Sequence, residues 1–93
     1  MAVIELAPEV GEDIDRILEH LAQHEVENAP AHIQEIIQAI AVLEHNPRIG
    51  RPVEQGKREL LIGQRKRGYV ALYCYIAEID TVLVLALRSQ REN

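Results

Sequence analysis

The sequence predicts an α+β fold: a small antiparallel sheet with an N-terminal helical hairpin packed on one face, in the order β-α-α-β-β-β. Three stretches carry this expectation. Tyr69 to Arg88 (YVALYCYIAEIDTVLVLALR) reads as two strands joined by a tight turn, because Val70, Leu72, Cys74 and Ile76 alternate with Tyr69, Ala71, Tyr73 and Tyr75. The run Thr81 to Leu87 is apolar on both faces, with Val82, Val84 and Ala86 on one and Leu83, Leu85 and Leu87 on the other. A strand of that kind needs cover on both sides, which places it in the middle of the sheet. Upstream, two apolar stripes at helical spacing are joined by a link so short that the helices must run antiparallel.

Taken in order, Val3 to Leu6 is a brief apolar run closed by Ala7-Pro8 and is expected as an edge strand. Pro8 suits the first turn of a helix, and Glu9, Glu12 and Asp13 set negative charge against the positive end of its dipole. Val10, Ile14, Ile17, Leu18 and Leu21 form the apolar stripe of that helix, which runs over about residues 8–24. Asn28 ahead of Ala29-Pro30 is a favourable N-cap for the second helix, whose stripe is Ile33, Ile36, Ile37, Ile40 and Leu43. From Asn46 the segment NPRIGRPVEQGKREL is rich in Pro, Gly and Arg, so it reads as a loop crossing to the sheet with Ile49 and Val53 as apolar anchors. Glu59 to Ile62 is then a short strand, and Gly63 and Gly68 flank a turn bearing Arg65, Lys66 and Arg67.

Ninety-three residues, 47% hydrophobic and 27% charged, fit one soluble domain spanning 1–93, with a stability of roughly 5–15 kcal/mol. No apolar run approaches the ~20 residues needed to cross a bilayer. The start MAVIELAPEV lacks a basic, cleavable leader, so a cytoplasmic protein without a membrane partner is expected. The net charge of −5 hides a division. Residues 1–46 hold ten acids against Arg16 as their single base, whereas residues 47–93 hold nine bases against five acids, so the halves carry −9 and +4. That asymmetry points to a surface meeting a partner of opposite sign.

Most chemistry finds no footing. His20 and His24 are spaced as metal ligands on one helix face, but Leu21 stands where the expected Glu would follow, so no metal and no cofactor are predicted. Cys74 is the only cysteine and reads as a core residue. Ser89, the only serine, has no histidine beside it and no nucleophile-elbow motif around it, and neither Gly63 nor Gly68 opens a helix as a phosphate-cradling loop does. No catalytic residue is assigned on these grounds. A set of cations remains: Lys57 and Arg58 opening the second strand, Arg65, Lys66 and Arg67 in the next turn, and Arg88 and Arg91 leaving the last strand. Converging on one side of the sheet, they would bind carboxylates or phosphates.

The element order, the segment NPRIGRPVEQGKREL, the strand with Tyr73 and the ending LVLALRSQRE together resemble the ParE/RelE superfamily of toxins from type II toxin–antitoxin pairs, over nearly the whole chain. The ending Leu-Ala-Leu-Arg-Ser-Gln-Arg-Glu is the most specific part, with Ser89 where a histidine is common. The resemblance implies one of two mechanisms. RelE-like members are ribosome-dependent mRNA endonucleases that use lysines and arginines on the sheet and a tyrosine near the C-terminus, and Lys57, Arg65 or Arg67, and Arg88 would stand for the basic members. No aromatic residue follows Tyr75, so no general base is visible there. The chain looks closer to ParE, whose members poison DNA gyrase through protein contact, with Arg88 and Arg91 leading the target contact. The resemblance further implies a ParD-like antitoxin as partner, docking on the exposed apolar side of the sheet, with nucleic acid touched only indirectly unless the endonuclease mechanism holds.

Overall fold

The computed structural model describes residues 1–24, 27–63 and 68–90. Strand β1 (Val3–Leu6) is followed by α1 (Pro8–Gln23) and α2 (Ala29–Ala41), then by β2 (Arg51–Pro52), β3 (Arg58–Ile62), β4 (Tyr69–Ile76) and β5 (Thr81–Ser89). The spatial order is β1-β5-β4-β3-β2. All neighbouring pairs are antiparallel except β1 with β5, which run parallel with Val3 opposite Thr81 and Leu6 opposite Val84. The α+β architecture is the one the sequence predicts, with β1 at an edge, but the central place falls to β4, and β5 lies between it and β1.

Both helices begin with proline in the first turn, where its missing N–H costs nothing. α1 buries Val10, Ile17 and Leu21 against β5, and α2 buries Ile36 and Ile40 and reaches β3, with Leu43 continuing the stripe in a 3₁₀ turn. Ile37 departs from the expected stripe. It lies about 100° around the helix from Ile36 and is 54% exposed. Asn28 also differs from its expected role, since its side chain caps nothing. It takes a left-handed conformation (φ 60°), which Asn tolerates better than most residues, and its carbonyl accepts from the Ala31 and His32 N–H groups while the chain reverses between the helices.

The predicted loop after Asn46 contains β2, a two-residue edge strand ending in Pro52, whose missing donor an edge position accommodates. Ile49 does not anchor this loop, being 59% exposed. Gly50 does: its N–H donates to the hydroxyl of fully buried Tyr73 at 2.9 Å, and a Cβ at this position would lie 2.7 Å from that hydroxyl.

The assignment of faces required correction. Tyr69, Ala71 and Tyr73 turn toward the helices and are buried, while Val70, Leu72, Cys74 and Ile76 lie on the other side and are only partly covered. Cys74 is therefore not a core residue. The helical layer takes the tyrosine face because that face brings polar partners for its hydroxyls, Gly50 N–H for Tyr73 and His32 for Tyr69. In β5 the pairing slips opposite Leu72 and Tyr73, leaving Leu85 as an extra residue. This bulge moves Leu87 to the face of Val82 and Val84, all fully buried, and turns Ala86 outward, so strict alternation fails at its C-terminal end.

Candidate functional site

The side of the sheet away from the helices is built by register. One row runs Leu61, Val70, Arg88 across β3, β4 and β5, and the next runs Glu59, Leu72, Ala86, with Arg51 of β2 beside Glu59. Cys74 pairs with Leu83, and Glu5 of β1 flanks Leu83. The result is an apolar face whose middle is partly covered and whose margin is open, with Leu61 58% and Val3 56% exposed. Charge frames it. Arg51 pairs with Glu59 at 2.6 Å on one margin, Glu5 stands on the other, and Arg88 is exposed at one end.

Arg88 owes its setting to α1. Strand β1 stops at Leu6, so the last residues of β5 have no strand on that side. Asp13 accepts the Leu87 N–H through Oδ2 at 2.9 Å, and Arg16 donates from Nη2 to the Leu87 carbonyl at 3.3 Å. Arg16 Nη1 also pairs with Asp13 Oδ1 at 3.0 Å.

Of the other cations singled out in the sequence, Arg58 is committed elsewhere. Its Nη1 donates to the carbonyls of Arg48 at 2.9 Å and Gly50 at 2.8 Å, which fastens the loop before β2. Register puts Arg58 opposite Tyr73, on the helix side, three rows from Arg88 or roughly 10 Å along the strands. Arg58 and Arg88 are not brought together. Lys57 leans on Gln55, its Nζ 3.4 Å from Oε1. Arg65, Lys66, Arg67 and Arg91 lie outside the described residues, but Gly63 and Gly68, which border the basic turn, sit at the Arg88 end of the sheet, where the Gln90 N–H donates to the Gly68 carbonyl at 3.0 Å. Arg48, which sequence reasoning passed over, stacks on Tyr75 with its guanidinium carbon 4.8 Å from the ring centre.

Little here suits acid–base work. Burial, and then the charge of Glu35, push the Tyr69 phenol up. Tyr75 is pushed up chiefly by its hydrogen bond to Asp80, 2.7 Å away. Both therefore keep their protons at neutral pH. His20 and His24 stack with ring centres 4.2 Å apart, and no group of three His, Cys, Asp or Glu among the described residues is placed to hold a metal ion. No helix among them is long and apolar enough to cross a membrane. An apolar face with a charged margin and, among the described residues, an arginine without a side-chain partner at its end has the composition of a protein-binding surface.

Two solved structures share this fold. A protein from the chromosomal ParDE toxin–antitoxin system of P. aeruginosa superposes with a TM-score of 0.77 at 22% identity, covering 96% of both chains. One from the intact E. coli RelBE toxin–antitoxin complex gives 0.66 at 13% identity, again over 96% of each. No curated protein sequence matches. The family described as "ParE toxin of type II toxin-antitoxin system, parDE" matches residues 4–93, and the chain belongs to that family.

Proposed function

We propose that this single-domain ParE toxin acts in the cytoplasm by inhibiting DNA gyrase through protein–protein contact, and that a ParD-like antitoxin neutralises it by covering the open face of the sheet. The observation that carries the reading is Arg88. It is exposed, it makes no side-chain hydrogen bond or ion pair among the described residues, and it stands at the end of the apolar face rather than apart from it. An antitoxin segment laid over Val70, Leu72 and Leu83 would mask Arg88 as well, so neutralisation needs no remote conformational change. Arg91 follows three residues on and is proposed to share the target contact, with Lys57, Arg65, Lys66 and Arg67 contributing less and Arg58, tied to the loop before β2, not taking part.

A supercoiling assay with purified gyrase tests the target. Inhibition by the wild-type chain, lost in Arg88→Ala/Arg91→Ala while the fold is retained, is expected, because an interface arginine anchor contributes about 2 kcal/mol or more to binding. Undisturbed supercoiling together with cut messages and immediate arrest of translation would instead assign the RelE-like activity. The docking surface has its own reporter, since Cys74 is the only thiol and lies on the open face. Its reaction with a thiol reagent should slow at least about tenfold when antitoxin binds, and an unchanged rate would place the antitoxin elsewhere.

A further inference from the structure

We infer that Asp13 and Arg16 are positioning residues for Arg88, holding the end of β5 in the form that contacts the toxin's target. The inference rests on the proposed role of Arg88 and goes beyond it by naming the groups that set its place. In an antiparallel pair, successive residues direct their backbone groups to opposite sides. Leu87 directs its N–H and C=O to Asp13 and Arg16 of α1, so Arg88, the next residue, directs its own toward β4, where it pairs with Val70. The two residues are thus held from opposite sides by different elements. Without the helix, Leu87 to Ser89 would be held from the β4 side alone, and strand ends open at low free-energy cost.

The pair is a built feature. Both carboxylate oxygens of Asp13 are bonded, one to Leu87 and one to Arg16, and its side chain is only 14% exposed. Arg16 is the single Lys or Arg among the first 46 residues, and it pairs with Asp13 three residues earlier. Its guanidinium closes the second half of the clamp, on the Leu87 carbonyl. A target contact made by one long side chain gains affinity when its backbone is already fixed, because less ordering remains to be done on binding.

The test measures four properties for Asp13→Ala, Arg16→Ala, Asp13→Asn and Arg88→Ala: urea stability, antitoxin affinity, amide exchange, and gyrase inhibition at equal folded concentration. Ile36→Val, a mild core change remote from the clamp, is the control for general destabilisation. Positioning predicts that Asp13→Ala exchanges the Leu87 and Ser89 amides faster while Val82 and Val84 keep their protection, and that inhibition falls about tenfold, the range of a damaged interface anchor. Asp13→Asn, which keeps an acceptor for Leu87, should recover much of the inhibition, and Ile36→Val should retain all of it. Asp13→Ala with full inhibition, or a loss of inhibition matched by Ile36→Val at equal loss of stability, would overturn the inference. Full inhibition by Arg88→Ala would instead overturn the assigned contact itself, and the clamp's proposed role with it.

Discussion

On the helix side of the sheet, Tyr69, Ala71, Tyr73, Val82, Val84 and Leu87 are each no more than 5% exposed, whereas across the same strands Val70, Leu72, Cys74, Ile76 and Leu83 are only partly covered and Leu61 is 58% exposed. By hydrophobicity alone the second set is the better core, since it lacks the tyrosine hydroxyls. The difference teaches that the buried face is chosen by whether its polar atoms can be satisfied. Tyr73 is fully buried because Gly50 supplies an N–H at 2.9 Å, and no buried side-chain polar atom among the described residues lacks a partner. The purely apolar face needs no such partners, so it can be left for another molecule to cover.

The sharpest way to break this comparison is one substitution made on both faces of one strand. Leu87→Ala on the helix side is expected to cost about 2–5 kcal/mol in urea unfolding, the range for emptying a buried leucine site, whereas Leu83→Ala should cost roughly 1 kcal/mol and instead weaken antitoxin binding. Equal losses would mean that both faces are core.

Gly50→Ala comes next, expected at about 1–3 kcal/mol, because the new methyl would meet Tyr73 at 2.7 Å and the Glu59 carbonyl at 2.9 Å. If thermal unfolding shows no loss, the loop is not fastened where the structure places it. On the open side a double-mutant cycle between Arg51 and Glu59 should give under ~1 kcal/mol, since the Arg51 side chain is 67% exposed and water screens the pair. The smallest effect concerns pH. Tyr69 holds its proton above the usual 10.0 in the folded chain, through burial and then Glu35, so its contribution is complete below pH 10.0 and is lost as pH rises through the raised folded value. The melting temperature should therefore fall more steeply above pH 10.0 for the wild type than for Tyr69→Phe, and identical slopes would refute the assignment.

Much of the fold was legible because it rests on local pattern. The double-sided apolar run Thr81 to Leu87 marked β5 as a covered strand, beside the central β4, and the apolar stripes gave α1 to within a residue and the start of α2, whose last turn is 3₁₀ over Val42–Glu44. What stayed hidden depends on contacts between distant residues. Nothing near Tyr73 announces a bond to Gly50, 23 residues earlier, and nothing near Arg58 announces that it caps the carbonyls of Arg48 and Gly50. Cys74 was misplaced because alternation reports which residues share a face, not which face the helices choose. The bulge at Leu85 is invisible in a run where every residue is apolar. At the candidate site, Arg88 could be read from its place after the last strand, and Arg16 was conspicuous as a lone base, but its partner Leu87 lies 71 residues away.

The parallel pairing of β1 with β5 bears on how the molecule comes into being. Val3 has no strand to join until Thr81 has been made, and α1 packs chiefly on that same last strand. At roughly 5–20 residues per second, a ribosome needs about 4–16 s to travel between the two positions. Through that interval the N-terminal segment has α2 and the turn at Glu44 as neighbours but not β5, so an interrupted product ending before residue 81 lacks the strand on which β1 and α1 are chiefly built. The face that β5 shares with β4 and β1, and Arg88 at its end, is therefore assembled only after residue 81 has been made.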